Sequence, residues 1–157
     1  MRQPIRLIAS LVASLVASFA VAKTARIAAL TAVLLAAPLA ATPAAALDVN
    51  SFRAQHKLKP LTQSATLAGA AQAHARDMAK RKTMDHRNFQ ARMAGVSRGA
   101  GAENVAYGCA TAPCVYKMWI DSPGHRANML LRTVTRYGLG SAVADDGQRY
   151  WTLLLGN

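Results

Sequence analysis

Acidic side chains are scarce in this chain. Seven Asp and Glu stand against nineteen Lys and Arg over 157 residues, and none of the seven precedes Asp48. Such an imbalance favours acidic partners, anionic envelope lipids or glycans among them. Ten of the fifteen basic residues after position 46 are arginines in an alanine-rich context, which a GC-rich genome also produces without any ligand. No basic run is longer than Lys80-Arg81-Lys82, and no aromatic residues interleave with it, which argues against nucleic acid. Cysteine is reduced to two, Cys109 and Cys114, so no further thiol exists to complete a thiolate zinc site. Residues 47–157 contain no internal repeat and no low-complexity tract. They also show too few strand–helix–strand alternations for a doubly wound parallel sheet.

What is abundant is Ala, Leu and Val near the start. Residues 1–46 hold four basic residues and two apolar runs, Leu7 to Ala22 and Ile27 to Ala41. The second run follows Lys23 and Arg26 and ends at Pro38, Pro43 and Ala44-Ala45-Ala46, the order of regions in an export signal cleaved after Ala46. One signal needs one run, so a start at Val21 would make residues 21–46 a complete signal on their own. The rival reading is a membrane anchor over residues 7–22, but its 16 residues fall short of the roughly 20 that span a bilayer. Export to the periplasm or the exterior is therefore expected, with no transmembrane anchor surviving processing. Residues 47–157 remain as one domain carrying fifteen basic and seven acidic residues, near +8. In an oxidising compartment Cys109 and Cys114 are expected to form a local disulfide.

Within that domain, Asp48 can cap a helix running to about Lys57, closed before Lys59-Pro60. A second helix is expected from Thr62–Ala65, burying Leu67, Ala70, Ala71, His74 and Met78, with Gln72, Arg76 and Lys80 on the opposite side. A short helical segment follows around Phe89 to Met93, then a glycine-rich loop, then a strand over "ENVAYG" with Val105 and Tyr107 on the face that Asn104 and Ala106 avoid. A third long helix over Pro113–Asp121 is expected to bury Val115, Met118 and Trp119. After "SPGHR" and a short helix, "YGLGSAVADDGQRYWTLLLG" predicts a β-hairpin turning at Asp146-Gly147. The fold class is α+β: helices first, strands at the end and one strand between.

Four histidines bear on chemistry. Ser122 has the side chain of an N-cap and Pro123 suits the first helical position. His125 then falls in the first turn, where the helix dipole disfavours the imidazolium and leaves a ring able to act as ligand or base. His86 and Glu103 lie next to turn or strand ends where side chains converge. Two imidazoles and a carboxylate are the donors of open zinc sites, although separate cap-satisfied or surface histidines fit the same residues. His74 reads as a hydrogen-bonded core histidine and His56 as a solvated one. A Ser122 nucleophile with His125 as base is disfavoured, because a capping serine is committed to backbone amides.

Taken in order, "AENVAYG", "MWIDSPGHRANML", "YGLGSAV" and "YWTLLLG" resemble the CAP (SCP) superfamily of cysteine-rich secretory, antigen-5 and plant pathogenesis-related proteins, and its compact bacterial branch in particular. The stretch from Ser51 to His86 is similar to that branch's opening, so the likeness spans residues 47–157. The resemblance implies an α–β–α sandwich with an open cleft lined by two His and two Glu that can bind zinc or another divalent ion. His86, Glu103 and His125 match three of those positions, and Ser122 stands where the fourth carries glutamate.

Two functional expectations follow. The first is an exported, non-catalytic binding module whose cleft of His86, Glu103, Ser122 and His125 holds a ligand or a divalent ion at the envelope. The second is a metal-assisted hydrolase of peptide or cell-wall material, with His86 and His125 holding a metal and Glu103 as ligand or general base. The export reading predicts that N-terminal sequencing of the secreted form begins at Leu47; a product still carrying Leu7 contradicts it.

Overall fold

The computed structural model describes residues 47–157; the export segment expected over residues 1–46 lies outside the described residues. The elements run α1 (Val49–Gln55), β1 (Thr62–Gln63), α2 (Ala65–Arg81), α3 (Phe89–Ala94), β2 (Ala102–Tyr107), α4 (Ala112–Asp121), α5 (Pro123–Met129), β3 (Arg136–Val143) and β4 (Arg149–Gly156). Four strands form one sheet in the order β1-β3-β4-β2, with β1 parallel to β3 and the other pairs antiparallel. This is the expected α+β class, arranged as a sheet between two helical layers.

Strand β4 explains the layering. Its side chains alternate, and both sets are mainly apolar: Trp151, Leu153 and Leu155 join the cluster of α1, α4 and α5, while Tyr150 and Leu154, with the buried Thr152 between them, pack toward α2 and α3. A strand buried on both faces has no polar set, which is why "YWTLLLG" reads as a continuous apolar run. Strand β2, at the sheet's edge, is also covered on both faces, so Asn104 and Ala106 are buried beside Val105. Tyr107, expected on the same face as Val105, is half exposed at the strand's end and stacks on Tyr150.

Local chemistry sets the helix ends. Asp48 and Ser51 form a reciprocal capping box at α1, with Ser51 N donating to Asp48 Oδ1 at 2.7 Å and Asp48 N to Ser51 Oγ at 2.9 Å. Helix α1 stops at Gln55, short of Lys57, because Lys57 turns into the left-handed region and Leu58 N bonds back to the Arg53 carbonyl. Ser64 caps α2 through Leu67 N, and Thr111 caps α4 through Cys114 N. In α4 the buried residues are Val115, Tyr116 and Trp119; Met118, expected inside, is 43% exposed because it faces the open edge of β2. The Cys109–Cys114 disulfide is formed, tying the end of β2 to the start of α4. Among the described residues no helix is long and apolar enough to cross a membrane.

Helix α2 lies against β3 closely enough to require glycine. A Cβ on Gly138 or Gly140 would collide with the backbone of Leu67–Ala68 or of Ala71–Gln72 respectively. The "YGLG" segment is therefore a seat for α2. Gln72, expected on the solvent side, instead donates to Ser141 O at 2.7 Å and accepts from Ser141 N at 3.2 Å, closing the stretch of β3 beyond its short pairing with β1. Gly140→Ala is expected to destabilise the fold by at least about 3 kcal/mol in urea unfolding. Gly69→Ala, inside α2 with open space around it, should instead gain up to about 1 kcal/mol; equal effects at the two positions would contradict the close-contact account.

Candidate functional site

The site grows from the edge strand β2. Alternation along it sends Glu103 toward the α2–α3 layer and Asn104 toward α5, so one strand addresses both helical layers. Glu103, the chain's only glutamate, has a side chain 1% exposed. Its Oε1 lies 2.8 Å from His86 Nδ1, and its Oε2 accepts from Arg92 Nε at 2.9 Å. His74, fully on the inner face of α2, brings Nε2 within 3.8 Å of the same Oε1 and hydrogen-bonds the Asp85 carbonyl at 2.9 Å. His74 is thus the buried, hydrogen-bonded histidine expected, while His56 is exposed and meets Phe52 edge-on.

A carboxylate only accepts, so the His86 contact is a Nδ1–H donation, and in the neutral form of this half-exposed ring Nε2 carries the free lone pair. On the other layer Asn104 Nδ2 donates to the His125 carbonyl at 3.0 Å, and Asn128 Nδ2 donates to Asn104 Oδ1 at 2.9 Å, which pins the start of α5 to the strand. Pro123 opens that helix as expected. Ser122, however, makes no side-chain cap bond; its Oγ instead lies 3.0 Å from His125 Nδ1 and orients that ring. The serine is therefore not withheld by backbone amides. A working nucleophile–base pair also needs a third group fixing the base, and among the described residues His125 has no second side-chain partner.

Burial holds the His125 pKa below its ordinary value of 6.5, and the nearby His86 ring lowers it further. The neutral ring expected from helix position thus owes its state to desolvation and a second imidazole. His86 from the segment after α2 and His125 from α5 are brought into one neighbourhood, with Glu103 behind the first and Ser122 behind the second. The donors do not fit a three-ligand zinc site. Both oxygens of Glu103 are engaged, Ser122 offers a hydroxyl, and no group of three His, Cys, Asp or Glu side chains among the described residues is arranged to hold a metal ion.

Two features escaped sequence reasoning. Arg92 neutralises Glu103 across eleven residues with no periodic signal to pair them. A cleft of about 390 Å³ beside His125 is lined by Met84, Val105, Ala106, Tyr107 and Met118; the exposure of Met118 depends on tertiary packing alone.

A family model described as the cysteine-rich secretory protein family, CAP, matches residues 48–155. The uncharacterized protein YkwD of Bacillus subtilis (strain 168) is 34% identical over 98 residues, covering 58% of this chain and 38% of that protein. The chain thus spans well under half the length of this relative. Among solved structures, an extracellular protein containing a SCP domain from Bacillus anthracis is 26% identical with a TM-score of 0.61, covering 69% of this chain and 37% of that one. An outer surface protein from Borrelia burgdorferi, at 21% identity and a TM-score of 0.63, covers 69% of this chain and 86% of its own.

With His125 depressed in the folded state, the unfolded chain binds more protons between that value and 6.5. The neutral ring's contribution to stability is complete above pH 6.5 and is lost as pH falls through the depressed native value. Urea midpoints measured with chelator present should therefore drop less steeply below pH 6.5 in His125→Gln than in the parent chain; parallel profiles would contradict this.

Proposed function

The chain belongs to the cysteine-rich secretory protein (CAP) family, and on that premise we propose that it is an exported, non-catalytic binding module that holds an amphipathic small molecule at the cell envelope. Support for export comes from the composition of residues 1–46, from the disulfide between Cys109 and Cys114, and from the extracellular relative in Bacillus anthracis.

One observation carries the binding reading. Of the large hydrophobic side chains that stay exposed among the described residues, Met84, Tyr107, Met118 and Val143, three gather around His125 on the walls of one cleft. Scattered exposed hydrophobics are ordinary, but a cluster beside convergent polar groups is the composition of a ligand pocket. Methionine suits the role, since its flexible thioether adapts to irregular apolar shapes. The apolar part of a ligand would lie along Met84, Val105 and Met118, and its polar end would meet the His86 and His125 rings. Glu103 and Ser122 act through those rings, fixing their orientation.

Titration of decanoate into the chain carrying ¹³C-methyl methionine tests the assignment. Met84 and Met118 should shift saturably while the fully buried Met129 does not. The double variant Met84→Gln, Met118→Gln should weaken binding about a hundredfold, given roughly 1.5 kcal/mol for each covered side chain. Equal binding by the double variant, or shifts that never saturate, would overturn the reading.

A further inference from the structure

On the far side of the fold from β2, the same sheet ends in a second concavity whose chemistry is opposite. Arg53 projects from α1 and is 2% exposed. Its Nε donates to the Lys59 carbonyl at 3.0 Å, and its Nη1 to the Met129 and Leu131 carbonyls at 2.9 and 2.8 Å. Those bonds satisfy the C-terminal end of α5 and knit it to α1. They leave the two Nη2 hydrogens without a protein acceptor among the described residues, and they supply no negative charge.

A buried guanidinium ordinarily has a carboxylate partner, because a charge taken out of water is costly unless it is compensated. Among the described residues Arg53 forms no ion pair: every salt bridge involves other residues. It lines a cavity of about 530 Å³ together with Lys57, Lys59, Thr62, Arg132 and Thr135, and no acidic residue contributes to the walls. Lys57, Lys59 and Arg132 are all exposed, and none takes part in a salt bridge among the described residues. Burial and the like charge of Arg132 both push the Arg53 pKa down, so the two guanidinium groups repel across the cavity.

We propose that this cavity is a binding site for a phosphate-type oxyanion, held by Arg53 Nη2 at its floor and by Arg132, Lys57 and Lys59 at its rim. A guanidinium fork matches the geometry of phosphate oxygens, and the surrounding lysines supply point charge. The hydroxyl of Thr62 adds a neutral donor, while that of Thr135 is committed to Asn157 Oδ1 at 3.0 Å. An anion here removes the repulsion between Arg53 and Arg132 and provides the counter-charge that the chain itself does not. The site is separate from the His86/His125 cleft and does not depend on the ligand proposed there. It also gives the chain's basic excess a specific address. The source of the phosphate is a phospholipid headgroup or a soluble phosphoester, two forms of the same chemistry.

The test is titration of the purified chain with inorganic phosphate against sodium chloride at matched ionic strength, following the arginine Nε–H signals by NMR. The Arg53 Nε–H, sheltered by its bond to Lys59, should be visible and should shift saturably with phosphate only. The double variant Arg132→Gln, Lys57→Gln, confined to exposed positions so that folding is retained, should lose affinity by about tenfold or more. A control of equal charge, Arg76→Gln, Lys80→Gln on α2, should bind phosphate as the parent does. Absence of a saturable shift beyond that of chloride, or an equal loss in the control, would overturn the proposal. Vesicles of phosphatidylglycerol and of phosphatidylcholine then separate the sources. Cosedimentation with the former that phosphate competes away supports a headgroup; binding of glycerol phosphate without cosedimentation supports a soluble phosphoester.

Discussion

One buried carboxylate organises the cleft side of this protein. Glu103 sits on an edge strand with almost no exposure, and it is kept there by Arg92 from α3 and His86 from the segment after α2, with His74 of α2 close by. Removing a carboxylate from water costs several kcal/mol, a penalty tolerated only where its lone pairs are well filled. Filling them draws three separate segments to one point and leaves His86 with its outer nitrogen free. Asn104, the next residue, does the corresponding work on the opposite layer by holding the start of α5. Adjacent residues of one strand, pointing opposite ways, thus position His86 from one layer and His125 from the other.

The scaffold makes that arrangement rigid. Strand β4 is apolar on both faces and so joins two cores that would otherwise be independent. Glycines 138 and 140 let α2 approach β3 to backbone contact, which fixes the height of His74 over the sheet. At the other end, Arg53 ties α1 to the last turn of α5 through carbonyl groups alone. The same residue that closes the fold thereby keeps an uncompensated positive charge at the wall of a basic cavity. A CAP domain built this way presents an apolar, histidine-edged cleft and a cationic cavity on one small frame.

Much of this was legible in the chain. The cap at Asp48, the hairpin turn at Asp146-Gly147 and the paired cysteines announce themselves locally, because each depends on neighbours a few residues away. His86, Glu103 and His125 were identifiable as candidates from their places at turns, strand ends and a helix start, and the family resemblance of those segments joined them into one set. Arg92, Gln72 and the exposure of Met118 were not, since each is decided by a partner on another layer. Ser122 shows the limit most clearly. It has a capping side chain at a capping position, yet a histidine one turn on offers its hydroxyl a better partner than the backbone. Arg53 is the same lesson at larger scale: nothing in its sequence neighbourhood separates it from the surface arginines.

Glu103 acts from behind His86, and the tautomer of that ring reports it directly. Imidazole ¹⁵N spectra of the metal-free chain, taken at a pH where the ring is neutral, should show the His86 proton on Nδ1 and not on Nε2, with the reverse tautomer gaining in Glu103→Gln. Finding His86 protonated on Nε2 in the parent chain, unchanged by the substitution, would contradict the central claim.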